Sequence, residues 1–414
     1  MNLVRALFVC ICAGCALEPI AALPRGGAPD AGARESGAVE AFVQSGRRVD
    51  LLLVVDDSSG MAEEQSRFAA ALPRLVAVLD AAGTDWRAGI VTTDLGTGPY
   101  DWEGKGGADG CEAGGGGDQA LLQGDPAVLS HGSVGDPAAE LAARVDLAGE
   151  DGCGFERPLD AAVRAVSPEL AGADGGLVRD DALLSIVFLT DEDDCSADEE
   201  FYSPDNPGLG PPTSFRCFFG GVACDDEGDD GAWLGCRAQS VQPLVRAIPD
   251  VLAALAERKG SLVTASLVGG ALAPVRVGID ELGFPEVVPS CAGSDARPPI
   301  RLAAVVDQLG GVRASLCEAD LRPALEAIGA DALERLRAYC LRRPLADTAS
   351  PDCGVVEVRE GGQALAIPRR AQGTPGWWFA RPVRLACENG AIVFDEEVVP
   401  RAGSRVEMTC DFAD

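Results

Sequence analysis

The stretch Leu51-Leu52-Leu53-Val54-Val55-Asp56-Asp57-Ser58-Ser59-Gly60-Met61 decides how the chain is read. Five apolar residues run without polar alternation, the pattern of a strand buried on both faces rather than half-exposed. The run stops at two carboxylates and two hydroxyls. Beyond Gly60, Phe68, Leu72, Leu75, Val76 and Leu79 recur at spacings of three and four, which predicts a helix with one buried face.

The same alternation continues downstream. Residues 87–92 read as a second strand, 159–166 as a helix, Leu183–Leu189 as another doubly buried strand, 240–257 as a helix and 262–268 as a strand. Strands alternating with helices imply crossover connections. The fold class expected is therefore α/β, an open and mostly parallel sheet covered by helices on both faces. Two Gly- and Asp-rich insertions, about 96–130 and 192–236, interrupt it and carry Cys111, Cys195, Cys217, Cys224 and Cys236. Loops of that length without periodicity are costly to order, so disulfides or bound cations are the expected fasteners. Both follow strand ends at the edge where open sheets of this class bind ligands. Residues 319–340 read as amphipathic helix through Leu321, Leu325, Ile328, Ala332 and Leu336, with Gly329 a point at which it divides in two. From Pro351 the pattern becomes short runs, among them Val355-Val356-Glu357-Val358, Val383-Arg384-Leu385 and Ala391-Ile392-Val393-Phe394, separated by turns. That predicts a small, disulfide-linked β-rich C-terminal domain. Trp377-Trp378-Phe379 is either core of that domain or a binding patch.

The N-terminus is set apart from the fold. Arg5 precedes the apolar run Leu7 to Gly14, too short to span a bilayer and suited to a secretory signal. Cys12-Ala13-Gly14-Cys15 resembles the lipobox of bacterial lipoproteins, although the position three before the modified cysteine is Cys12 rather than Leu. An ordinary cleaved signal is the alternative. The division expected is a signal peptide at 1–14, a lipidated Cys15 with a flexible tether at 15–46, a main domain at 47–345, and the β-rich domain at 346–414. Because Ala16 rather than Asp follows Cys15, the expected destination is the outer membrane.

Cysteine and charge agree with export. Three of the 15 cysteines, Cys10, Cys12 and Cys15, belong to the signal, and the remaining even set extends from Cys111 to Cys410. No C-x-x-C pair occurs in the body and His131 is the single histidine, so six disulfides are expected in place of thiolate metal sites. With three cysteines in the C-terminal region, Cys353, Cys387 and Cys410, one must reach back toward Cys340 or Cys317. The chain has 65 acidic and 34 basic residues, a formal charge of -31. That disfavours nucleic acid, whose capture depends on basic contacts to phosphate, and favours cations.

Asp56-x-Ser58-x-Gly60 at a strand end resembles the metal-ion-dependent adhesion site of von Willebrand factor A domains, D-x-S-x-S, and Glu64-Gln65 matches the version found in exported bacterial relatives. The resemblance covers roughly 47–340. It implies that Asp56 and Ser58 hold one divalent cation, Mg2+ or Ca2+, and that Asp191 of Leu189-Thr190-Asp191 is a third contributor. Gly60 lacks the third hydroxyl, and Asp191 is followed by Glu192-Asp193-Asp194 rather than Gly. The family's ligand threonine is also missing from Gly152-Cys153-Gly154-Phe155-Glu156-Arg157-Pro158, where Glu156 is the oxygen donor expected in its place. Magnesium and calcium both take hard oxygen ligands, which these residues supply. A simple N-cap and turn at Asp56 is the rival reading. Thr92-Thr93-Asp94 is read as a turn backing the site. Asp225-Asp226-Glu227-Gly228-Asp229-Asp230-Gly231 lacks EF-hand spacing and reads as a solvated loop, and His131 as structural.

The function expected is a surface-exposed, metal-dependent adhesion or ligand-binding module, not an enzyme. Its partner would be a protein or cell-surface ligand, with membrane attachment through the N-terminal lipid. Two alternatives are a structural envelope lipoprotein whose cation only stabilises the fold, and a metal-assisted hydrolase. The second lacks a partner histidine and a G-x-S-x-G elbow.

Overall fold

Val49 to Val55 lie within 1% of complete burial in the strand Arg48–Val55, and Asp50 is the one polar residue among them. Successive side chains point to opposite faces of a strand. Leu51, Leu53 and Val55 accordingly join one apolar cluster with Phe68, Leu72, Leu75 and Leu79 of the helix Ala62–Ala81. Leu52 and Val54 join a second with Leu159, Ile248, Val251 and Leu255. The strand sits inside a six-stranded sheet, paired in parallel with Asp85–Thr92 on one side and Leu183–Leu189 on the other. Val263–Gly269 and then Arg313–Ser315 extend the sheet in parallel, and the two-residue strand Leu129–Ser130 closes the opposite edge antiparallel.

The computed structural model describes residues 38–413, apart from 45–46, 103–110, 112–116, 134, 172–175, 210–212, 229–230, 241–243, 282, 381–386, 388 and 402. Cys15, the signal and most of the tether lie outside the described residues, as does Val383-Arg384-Leu385. No helix among the described residues is long and apolar enough to cross a membrane.

One open parallel sheet of von Willebrand factor A or Rossmann type, with β structure otherwise confined to the C-terminus, is not the architecture found. The fold is mixed. Five sheets are present among the described residues, and four of them are small and antiparallel throughout. Ala232–Leu234 and Val275–Ile279 build one of these out of the second insertion and a hairpin beyond it. Cys353–Val358 and Arg405–Cys410 build another, whose edge strand is Ala38–Val43. The physical reason is the loops. Backbone buried in long connections must find hydrogen-bond partners, and here the connections pair with one another.

The stretch read as tether thus ends in a strand, and residues 38–414 make up one compact unit. The C-terminal sheets share an apolar cluster of Leu341, Val355, Trp377, Ile392, Phe394, Val406 and Met408. Trp377, 2% exposed, is core rather than a surface patch. The helix Arg322–Leu336 is continuous. Gly329 does not divide it. A Cβ there would stand 3.1 Å from the Cβ of Val78, so the glycine lets this helix close on Ala62–Ala81.

All six disulfides are formed: Cys111–Cys153, Cys195–Cys217, Cys224–Cys236, Cys291–Cys317, Cys340–Cys387 and Cys353–Cys410. Cys387 is the one that reaches back. The two insertions meet in a small core of their own, where Trp102 and Tyr202 pack edge-on against Phe155 at 4.7 and 5.4 Å between ring centroids. Arg216 lies 5.3 Å over Trp102 and Arg157 5.0 Å over Tyr202, two cation–π contacts in a desolvated setting.

Candidate functional site

Two strand ends and one loop deliver the predicted residues to the same edge of the six-stranded sheet. Asp56 follows Arg48–Val55, and its backbone N–H donates to Leu189 O at 2.9 Å, so the sheet pairing carries on into the turn. Asp191 follows Leu183–Leu189 through Thr190, whose hydroxyl donates to Asp56 Oδ2 at 2.6 Å. The turn closes by Ser58 N–H donating to Asp56 Oδ1 at 2.9 Å. Glu156 arrives on the loop pinned by Cys111–Cys153 and by Phe155 in the insertion core. Its carboxylate accepts the Thr93 hydroxyl, and Thr93 Oγ1 is also 3.3 Å from Asp57 Oδ1. Asp56, Ser58, Glu156 and Asp191 are all buried, none more than 9% exposed.

Sequence reasoning missed two participants, Asp57 and Glu150. Asp57 is buried beside Asp56, with its carboxylate against Gly152, where a Cβ would stand 2.5 Å from the carboxyl carbon. The glycine opens the space that the carboxylate occupies. Glu150 accepts the N–H groups of Gly60 and Ala62, both at 3.1 Å, and so caps the helix Ala62–Ala81. An acid there suits the positive end of the helix. Thr93, read as turn support, is the hydroxyl between Asp57 and Glu156. Neither Asp57 nor Glu150 has a sequence signal beyond its residue type, whereas Thr93 was already read as backing the site.

Electrostatically the edge is overloaded. Burial, then the charges of Asp56, Asp94 and Asp118, push the Asp57 carboxyl up to about 8. Burial and then Asp56 and Asp57 raise Glu156 well above the usual carboxylate range. Burial, Asp56 and Glu192 raise Asp191 likewise, with Arg297 pulling the other way. Two oxygens are left over. Glu156 Oε1 and Asp191 Oδ1 are shielded from solvent and accept no hydrogen bond. A buried unsatisfied carboxylate oxygen costs about 1–3 kcal/mol or more, so both atoms await a cation or a proton.

The donor set is of hard oxygens, as Mg2+ or Ca2+ requires. Among the described residues, however, no three His, Cys, Asp or Glu side chains are gathered into a ready-made metal-binding group. An ion here would therefore rely on hydroxyl and water oxygens beside one or two carboxylates. Asp94 bonds Gly96 N–H at 2.7 Å, and Asp118 accepts the Thr92 hydroxyl at 3.0 Å, so both are engaged in the adjacent loop. His131 accompanies Asp80 at 2.9 Å, away from this edge, in line with a structural role.

No protein-family model matches the chain, and no curated protein matches it. Among solved structures, the chain overlays on the pilus adhesin SpaC from Lactobacillus rhamnosus GG in its open conformation. Identity is 10% and the TM-score 0.33, over 88% of this chain and 38% of that one. The pilus adhesin RrgA from Streptococcus pneumoniae gives 10% and 0.29, over 92% and 58%. The human COPII-coat protein Sec24c gives 9% and 0.29, over 90% and 40%. The chain thus spans less than two thirds of each of these proteins, and overlaps this slight establish neither a shared fold nor a shared activity.

Proposed function

We propose that the chain is an exported binding module that engages its ligand at the carboxylate-lined edge through one divalent cation. Asp56, Ser58 and Asp191 would hold the ion, and Glu156 would stand where the von Willebrand factor A adhesion motif has threonine. The observation that carries the reading is the pair of shielded carboxylate oxygens, Glu156 Oε1 and Asp191 Oδ1, within reach of the charge of Asp56 and with no partner of their own. The six disulfides support an oxidising compartment, and with it the exported, Cys15-anchored form at the outer membrane.

Calorimetric titration of the mature chain with Mg2+, Ca2+ and Mn2+ tests the ion. Asp56→Ala is expected to abolish binding and Ser58→Ala to weaken it. Glu156→Ala should weaken it as well, with Glu156→Thr restoring most of the loss. Tight binding that survives Asp56→Ala, or no binding of any of the three ions at millimolar concentration, overturns the reading.

A further inference from the structure

The helices Ala62–Ala81 and Arg322–Leu336 lie side by side and leave a gap at one end. Arg74 and Glu326 pair across them at 3.8 Å, and Val78 closes on Gly329 a turn further on. Beyond that contact the first helix has only Ala81 and the capping Ala82, while the second brings Leu333 and Leu336. The small side chains leave a cavity of about 280 Å³, which Val399 of the C-terminal region also lines. Its size approaches the roughly 300 Å³ at which small-molecule pockets begin, and its wall is mainly aliphatic.

Three charged side chains line this cavity, and two of them answer each other. Arg47 faces Glu396 at 3.6 Å and gives an N–H to Ala82 O at 2.6 Å. The third, Arg337, is surplus. Its Nε is shielded from solvent with no hydrogen-bond partner, and no carboxylate pairs with its guanidinium among the described residues. Asp395, beside Glu396 in the chain, is taken by Arg370 and by the N–H of Gly376. The carbonyls at the two helix ends do not claim Arg337 either. Ala82 O accepts from Arg47, and Leu336 O accepts from Gln44 Nε2 at 2.9 Å. The backbone of Arg337 is held on both sides, its N–H by Glu334 O at 3.1 Å and its carbonyl by the N–H of Phe394 at 2.9 Å. In a chain of net charge -31 a shielded cation without a carboxylate runs against the trend, and an unmade buried donor is costly. Both features point to an anion supplied from outside.

We propose that this cavity binds a small aliphatic carboxylate, its chain against Val78, Leu333 and Leu336 and its carboxylate on Arg337. A guanidinium fork meets a carboxylate through two parallel N–H···O bonds, a match that a lysine would not give. The site is independent of the cation reading. The helix Ala62–Ala81 begins at the carboxylate edge and ends here, and 20 residues at about 1.5 Å each place roughly 30 Å between the two.

The test uses the mature, disulfide-intact chain in EDTA, so that no divalent ion can hold a carboxylate at the other edge. The probes are octanoate, neutral octanol and chainless acetate, followed by ligand-observed NMR titration. Octanoate is expected to bind, octanol about tenfold more weakly for want of charge-assisted bonds, and acetate more weakly still for want of apolar contact. Arg337→Met keeps an apolar stem and removes the charge, so it should weaken octanoate about tenfold and leave octanol unchanged. Arg74→Gln removes a charge from the same pair of helices outside the cavity and should change neither. Ala81→Leu fills the space with a helix-compatible side chain and should block both ligands, with thermal unfolding checking that the variant folds. Equal binding of octanoate and octanol, equal losses in Arg337→Met and Arg74→Gln, or undiminished octanoate binding in Ala81→Leu would each overturn the proposal. Acetyl-glycyl-leucine presents the same carboxylate at the end of a peptide. Binding tighter than that of octanoate would assign the cavity to a polypeptide C-terminus and overturn the free-acid form. Asp56→Ala keeps the two readings apart, since it is expected to lose magnesium and to bind octanoate as the unaltered chain does. Loss of octanoate in that variant would place the carboxylate at the other edge and overturn the assignment.

Discussion

One strand carries buried aspartates at both of its ends, and the two ends are treated in opposite ways. At the beginning of Arg48–Val55, Asp50 is completely buried and paired, although burial still outweighs its partners and holds its carboxyl above the usual range. Arg179 gives it a backbone N–H at 2.6 Å and a guanidinium N–H at 2.8 Å, and the same guanidinium reaches Asp85 O at 2.8 Å. Beyond the other end, Asp56 and Asp57 are as deeply buried, yet hydroxyls and backbone N–H groups hold them, with no Arg or Lys paired to either among the described residues. The contrast separates structural burial of charge from functional burial. The first end is closed by its own cation. The second is left with a deficit that something from outside can fill.

Breaking the matched end should have the largest effect. Arg179→Ala leaves Asp50 buried without its hydrogen-bonded counter-charge, with only Lys259 acting on it from further off, which costs about 3–5 kcal/mol. Denaturant unfolding is expected to show that loss with or without divalent ions, since the site at the far end is untouched. A loss below about 1 kcal/mol would mean that water reaches Asp50 and that the two ends do not differ as described.

The unmatched end should reveal itself through pH. Asp57 keeps its proton up to about 8 in the folded chain, whereas an ordinary aspartate releases it near 3.8. The folded state therefore binds the extra proton between those values, and stability falls as pH rises through that window. Glu156 and Asp191 act in the same direction, because burial and neighbouring acids raise both. In EDTA, unfolding stability is expected to drop by about 2 kcal/mol or more between about pH 5 and about pH 8, at no more than about 1.4 kcal/mol per pH unit per group. Saturating Mg2+ should flatten the decline, since an ion competes with protons for the same oxygens. Calorimetric scans across that range check it. A flat profile in EDTA would show that these three carboxylates are screened, and the contrast between the ends would vanish.

How far the sequence discloses these features depends on the range of the interaction. Val49 to Val55, Leu183–Leu189 and the helix through Phe68 and Leu79 are legible because burial on two faces or one leaves a periodic record. The C-terminal runs Val355–Val358 and Ala391–Phe394 are legible as strands too, whereas the small sheets of the second insertion are not, because strands such as Asp226–Glu227 and Arg237–Ala238 have two residues each and no room for a period. The expectation of a single open parallel sheet failed on those connections. Asp56, Ser58 and Asp191 were candidates through the resemblance to the D-x-S-x-S adhesion motif, and Glu156 through elimination within one loop. Asp57 and Glu150 escaped, since nothing in the chain announces that Gly152 makes room for one carboxylate or that the other folds back on a helix end. The helices at Pro137–Asp146 and Ile300–Leu309 were missed for a related reason. The first has a local cap, Asp136, but only Leu141, Arg144 and Val145 buried, and the second is capped from a distance by Asp193.

The smallest effect concerns the missing hydroxyl of the motif. Read from sequence, Gly60 is a serine position that has lost an oxygen. In the folded turn it has a φ of +104°, a region that side-chain-bearing L residues rarely adopt. Space is not the obstacle, for a Cβ there would meet nothing within 4 Å. The glycine is therefore a requirement of the backbone, set by the turn that presents its N–H to Glu150. Gly60→Ser is expected to cost about 1–2 kcal/mol of stability through that dihedral strain, without tightening Mg2+. Replacement at the closed end of the strand disturbs a pair, whereas this one disturbs only the shape of the open end. Thermal unfolding in EDTA and magnesium calorimetry on the same variant decide the matter. Unchanged stability together with tighter magnesium binding would mean that the turn relaxes freely, and that the open end lacks a ligand rather than holding a fixed form.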